Sequence, residues 1–180
     1  MVVKNQKSFT LVELLVTVAI FSLVVSSTAG LFVSALKAQR RSLATQELLN
    51  QTGFLMEYMS RAIRMAKKEL AAPSCLSENG LNYEKTRGGK GLKFKNSQGV
   101  CQEFFWDATT NRLKEQKGGT ENYLTSANLE VASFQIKLRG ESQSDEDQPR
   151  VTFFLEIRGK EKSKIRLQTT ISQRNLDIEI

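Results

Sequence analysis

The chain has 180 residues, room for one folded domain and one long extra element. Hydrophobic residues make up 40% and charged residues 25%, with 11 glycines and 2 prolines, which excludes wholesale disorder. The net charge of +7 suits a nucleic-acid or anionic-membrane partner, or simply a lysine-rich solvated face, and no compact basic run favours the former. With no histidine, His-based acid/base catalysis, Ser-His and Cys-His pairs and His-containing zinc sites are removed, and two cysteines cannot form a four-thiolate centre.

The N-terminal stretch MVVKNQKS carries Lys4 and Lys7 and leads into FTLVELLVTVAIFSLVVSSTAGLFVSAL. From Leu14 to Leu36 no residue is charged, and as a helix this run is about 35 Å long, enough to cross a bilayer core. A cleaved secretory signal is the competing reading, with Ser26, Ser27, Thr28 and Ala29 as a small-residue site. Against it, the apolar run resumes at Leu31, Phe32 and Val33, and a carboxylate, Glu13, stands near its start. A charge within a bilayer costs about 2.5–3.5 kcal/mol even on lenient scales, so it calls for a partner or for interfacial water.

The string KSFTLVELLVTVAIFSLVV closely resembles the signal of type IV prepilins and pseudopilins. In that family a short basic leader is cut before a phenylalanine, and a glutamate follows four residues on. The resemblance implies cleavage between Ser8 and Phe9 by a prepilin peptidase, N-methylation of Phe9, and an assembly role for Glu13. The family favours glycine before the cut; here it is the small residue Ser8. A cationic amine in a low-dielectric helix bundle needs an anion, and Glu13 of a neighbouring subunit supplies one, which sets the axial stagger. A head-to-tail contact that does not close generates filaments. Basic residues flank the helix on both sides, so charge leaves its orientation open. The resemblance implies a cytoplasmic leader, a single pass through the inner membrane, and a C-terminal domain outside the cytoplasm.

Beyond Leu36 the pattern becomes that of an amphipathic helix, with Leu48, Leu55, Met59, Ala62, Ala66 and Leu70 at steps of three or four and Phe54, Tyr58 and Ile63 beside them. Pro73 is the expected stop. One long helix from about Phe9 to about Leu70 is expected, weakened at Gly30 and Gly53, with Gly30 as a hinge candidate. The segment FLMEYMSRAIRMAKK also looks like the helix of J-type minor pseudopilins and W-type minor pilins. The expected organisation is a leader over 1–8, a transmembrane half-helix over 9–36 and a pilin-like globular domain over 37–180, made of an amphipathic helix (37–72) and strands and loops (73–180).

After Pro73, GLKFK, VCQEFFW, LEVASFQIKLR, VTFFLEIR and KIRLQTTI read as strands. A phase shift near Ala132 predicts a bulge, and the last two strands, joined by GKEKS, predict an antiparallel hairpin. Their apolar face needs a cover, and the lower half of the helix offers a matching stripe, so the fold class is α+β with an antiparallel sheet on a long N-terminal helix. The loop GESQSDEDQP holds Glu141, Asp145, Glu146 and Asp147, read as solvated rather than a calcium site because the ordered ligand spacing is missing. The stretch with Lys85, Arg87, Lys90, Lys93 and Lys95 lacks phosphate-loop spacing and reads as a solvated hairpin. No catalytic constellation, metal site or cofactor is expected.

Cys75 and Cys101 are too far apart in sequence for a redox CxxC pair. In a domain outside the cytoplasm they are expected to form a disulfide, with two buried free thiols as the alternative. The expected function is that of a minor pilin or pseudopilin in a type IV pilus or type II secretion pseudopilus. Its partners are prepilin peptidase, other pilin or pseudopilin subunits, inner-membrane assembly machinery and membrane lipid. The alternatives are a ligand-binding pilin, contacting nucleic acid during uptake or a surface during adhesion, and a membrane-tethered enzyme.

Overall fold

The computed structural model describes residues 9–70, 74–141 and 147–174. The chain falls into two compact units, residues 1–42 and 43–180. One helix, α1 (Leu11–Arg64), contributes to both and runs without a break through Gly30 and Gly53. In the first unit every described residue is exposed.

In the second unit, α1 buries Ala44, Leu48, Thr52, Leu55, Met59 and Ile63, whose steps of three and four place them on one stripe. Eight antiparallel strands build on that stripe. β1 (Glu84–Thr86), β2 (Gly91–Lys95), β3 (Cys101–Asp107), β4 (Arg112–Lys117) and β5 (Thr120–Tyr123) form a five-stranded meander in sequence order. β6 (Glu130–Arg139), β7 (Arg150–Arg158) and β8 (Lys164–Ser172) form a second, three-stranded sheet. Leu92, Phe94, Phe104 and Leu113 of the first sheet and Val131, Phe134, Ile136, Val151, Phe153, Leu155 and Ile157 of the second join the helix residues in one core. Burying an aliphatic or aromatic side chain is worth about 1.5–3 kcal/mol, so this core is the main stabilising element.

The five strands legible in the sequence are β2, β3, β6, β7 and β8, and the class is α+β. The register of β6 against β7 shifts between Val131 and Ser133, at the predicted bulge, and β7 and β8 pair as a hairpin. Two expectations need correction. The strands make two sheets instead of one, each with its own apolar inner face on the shared core. The helix ends at Arg64 and does not reach Leu70, and the reason is capture of its last carbonyls. The Tyr83 hydroxyl donates to Ile63 O (2.8 Å), Arg174 N to Arg64 O (2.8 Å), and the Gln173 amide to Ala66 O (2.8 Å). Lys67 N then donates to Lys95 O, turning the chain onto the end of β2. Leu70, past this exit, and Phe54, opposite the buried stripe, are each 73% exposed rather than core. Pro73, the expected stop, lies outside the described residues.

Two polar clusters sit inside this frame. Glu115 points inward from β4 and accepts hydrogen bonds from the Tyr58 hydroxyl (2.6 Å) and the Gln102 amide (2.5 Å). Burial, and then Glu115 itself, push the Tyr58 phenol up to about 12, so it stays a donor at any ordinary pH. Glu69, fully buried, accepts from Lys95 Nζ (2.9 Å) and Cys75 N (3.1 Å). Burial pushes its carboxyl up, but the Lys95 ammonium and the N–H groups of Cys75 and Leu76 outweigh that and hold it below the usual carboxylate range. Next to it, Cys75 and Cys101 are bridged, with Sγ atoms 2.14 Å apart and Cα atoms 5.3 Å apart.

Replacing Lys95 by Met leaves Glu69 buried without its cation and should cost about 3 kcal/mol at neutral pH. Because the folded carboxyl is depressed, its contribution is present above the ordinary value of 4.5 and is lost as pH falls through the lower folded value. The gap between wild type and Lys95→Met, read by chemical denaturation, should therefore narrow below about pH 4.5; a gap that stays constant with pH would count against the pairing.

The bridge closes a loop between residues 26 apart in sequence. Cys75→Ser with Cys101→Ser should lower stability by about 2–4 kcal/mol. Non-reducing mass spectrometry of the membrane-extracted wild-type chain should find no thiol open to alkylation.

Candidate assembly and processing segment

The first turn of α1 is organised by a threonine. Thr10 O accepts from Leu14 N (3.2 Å) and Thr10 Oγ1 accepts from Glu13 N (3.3 Å), so Thr10 is the N-cap and Glu13 the third residue of the helix. Thr-x-x-Glu is the capping-box pattern, a readable signal that a search for processing residues passes over. The carboxylate of Glu13 thus stands in the first turn, where the helix dipole favours negative charge. Among the described residues no basic side chain pairs with Glu13. Phe9, just before the cap, is exposed. Ser8 and the leader residues Lys4 and Lys7 lie outside the described residues.

From Leu14 to Leu36 the helix carries no charge, and Leu14, Leu15, Val18, Phe21, Leu23, Leu31 and Phe32 are all exposed within the chain. An 18-residue window reaches a mean hydropathy of 2.2, and the helix is long and apolar enough to cross a membrane. Five hydroxyls embedded in this stretch are turned back on the helix. Thr17 donates to Leu14 O, Ser22 to Val18 O, Ser26 to Ser22 O, Ser27 to Val24 O, and Thr28 to Val24 O and Val25 O, at 2.8–3.1 Å. Each of these five is therefore satisfied locally, which is what an apolar surrounding demands. The helix is continuous through Ser26–Ala29, the stretch considered as an alternative cleavage site.

In the second unit the basic residues of the β1–β2 hairpin are largely engaged. Arg87 pairs with Glu103 (2.9 Å) and stacks over Phe105 (3.6 Å), Lys90 lies over the Trp106 ring (4.5 Å), and Lys95 holds Glu69. Thr86 also donates to Glu103, and this cluster sits so close over Gly91 that a Cβ there would meet Thr86 Oγ1. An open depression of about 580 Å³ beside it is lined by Thr86, Arg87, Lys93, Glu103 and Gln116. Its guanidinium and carboxylate are paired with each other, with Lys93 alongside. In the acidic loop, Asp147 pairs with Arg139 (2.8 Å), while Asp145 and Glu146 lie outside the described residues. Among the described residues no group of three potential metal ligands comes together.

The sequence-predicted site residues thus lie in two places. Phe9 and Glu13 stand at the start of α1, and Cys75 and Cys101 meet beside β3. Comparison with known families matches residues 3–29 to the prokaryotic N-terminal methylation motif. No curated protein and no solved structure matches the chain. The matched residues span the basic stretch, Ser8, Phe9, Glu13 and the apolar helix through Ala29. This chain carries the N-terminal methylation motif, the prepilin signal of type IV pilins and pseudopilins, ahead of an α+β unit.

Proposed function

We propose that the chain is a minor pilin or pseudopilin subunit that assembles through α1 into a type IV pilus or a type II secretion pseudopilus. The observation that carries this reading is the helix from Leu11 to Ser42, apolar over its membrane-length stretch and exposed on every side, with one carboxylate in its first turn. A helix apolar all round is at home in lipid or against other apolar helices, and not in water. The methylation motif points to a structural subunit rather than an enzyme.

In this reading prepilin peptidase cuts between Ser8 and Phe9 at the cytoplasmic face of the inner membrane, and the α+β unit stands outside the cytoplasm. The new amine of Phe9, N-methylated, meets Glu13 of the adjacent subunit as the helix leaves lipid for the filament. Two opposite charges that are costly apart in an apolar medium become tolerable together, which fixes one axial offset between neighbours. Thr10 positions the Glu13 backbone by capping the helix, so the carboxylate projects from a rigid turn. The likeness of FLMEYMSRAIRMAKK to J-type and W-type minor subunits supports a minor role.

Glu13→Gln keeps the capping-box side chain and removes only the charge. Together with Glu13→Ala, it should leave leader removal intact. Incorporation into filaments should fall roughly a hundredfold, the equivalent of about 3 kcal/mol for an unpaired buried charge. Normal incorporation of Glu13→Gln in sheared filament fractions would sink the pairing role.

Processing is read separately, at the N-terminus of the membrane-extracted protein. Wild type should begin with N-methylated Phe9 followed by Thr10, Ser8→Gly should be processed at least as fast, and Ser8→Leu should remain uncut. Normal cleavage of Ser8→Leu would place the cut at another bond.

A further inference from the structure

β8 is the outer strand of the three-stranded sheet and pairs only with β7 among the described residues. It is nine residues long, contains no proline, and keeps unbroken register with β7 from Lys164 to Ser172. Its outer edge therefore presents a row of backbone donors and acceptors for another strand. Lys164, Arg166, Gln168 and Thr170 are exposed on one face, and Ile165, Leu167 and Thr169 are only half-buried on the other. Natural edges are usually shortened, bulged or covered, and this one carries only two charges in its favour.

We propose that the free edge of β8 accepts residues 175–180 of a second copy of this chain as an added antiparallel strand. Those residues read NLDIEI, with Leu176, Ile178 and Ile180 alternating with Asp177 and Glu179. One register satisfies both faces at once. It sets Asp177 opposite Arg166 and Glu179 opposite Lys164 on the exposed face, and Leu176 opposite Leu167 and Ile178 opposite Ile165 on the inner face. Directly opposed pairs of this kind each contribute about 0.2–1 kcal/mol, on top of the backbone ladder. Arg166 already touches Glu156 through Nε, but its side chain is 70% exposed and its guanidinium has further donors.

The same chain cannot make this match with its own strand. Gln173 N donates to Pro149 O, continuing the β7–β8 ladder, and Arg174 N donates to Arg64 O at the end of α1. That register would put the turn of a self-hairpin between Ile171 and Ser172, and both of these pair with β7 as part of the strand. The charge match is met only between two copies. Donor segment and acceptor edge are different surfaces, so the contact is head-to-tail and open-ended. It is independent of the charge pairing proposed at Glu13.

The test uses the full chain in detergent, with a photo-crosslinking residue in place of Ile178 and unlabelled copies mixed with nitrogen-15-labelled ones. Mass spectrometry should find light-to-heavy crosslinks from position 178 to the Lys164–Ser172 peptide. Asp177→Lys with Glu179→Lys should reduce them about tenfold, two reversed ion pairs' worth. Pairing that variant with copies carrying Lys164→Glu and Arg166→Glu should restore them. Copies bearing Glu13→Gln should crosslink as wild type, which separates this contact from the helix contact. Crosslinks confined to a single chain, directed elsewhere, undiminished by charge reversal, or missing would each overturn the proposal.

Discussion

One stripe of α1, from Ala44 to Ile63, is the surface on which the rest of the second unit is laid. A helix stripe roughly a hundred degrees wide accommodates two layers of side chains more readily than one flat face. Both sheets present their apolar faces to the same core, and the core cluster joins Leu48, Leu55, Met59 and Ile63 to residues from either sheet. One exception on this interface is charged and paired. Glu115 occupies an inward position of β4 where an apolar residue would ordinarily stand, and Tyr58 and Gln102 satisfy it. A half-satisfied carboxylate there would cost more than an apolar side chain gains, so the helix and the sheet are tied by chemistry as well as by shape.

The first unit obeys the opposite rule. Its described residues are all exposed within the chain, and the hydroxyls of Thr17, Ser22, Ser26, Ser27 and Thr28 are closed onto their own backbone. The same polypeptide therefore carries one helix written for two surroundings. The change of pattern falls within a few residues of Ser42, where Ala44 is the first position to become buried. Among the described residues before Lys37 the one charge is Glu13, in the turn capped by Thr10.

How much of this was legible depended on which force shaped each element. The apolar segment, its carboxylate and the preceding serine and phenylalanine stood out because membrane solvation leaves a long, uninterrupted record in the residues. β6, β7 and β8 were equally plain, since Val131, Phe134, Ile136, Val151, Phe153, Leu155 and Ile157 alternate as half-buried strands must. β4 and β5 were not, because RLKEQK places charges on both faces, Glu115 mimics a solvent position, and TENY is short and exposed throughout. The helix end was missed for a different reason. Nothing local stops the chain at Arg64; Tyr83 stops it from 20 residues away and Gln173 from 107, with Arg174 beside it, and such long-range bonds leave no periodic trace. Thr10 was readable as the first member of a capping box, but its role is local and the processing motif drew the eye past it.

The bonds that terminate α1 also define how the unit would respond to traction. Pull on the helix along its axis, and the load enters the sheets by shear across the Ala44–Ile63 stripe and through the acceptors at Ile63, Arg64 and Ala66. Should those yield, the chain between Met65 and Ser74 can straighten to a span of at most about 35 Å before the Cys75–Cys101 link draws taut. From that point a covalent path joins the helix to β3, in the middle of the larger sheet, and further extension has to break the meander itself. The unit thus has a short slack line and a fixed stop.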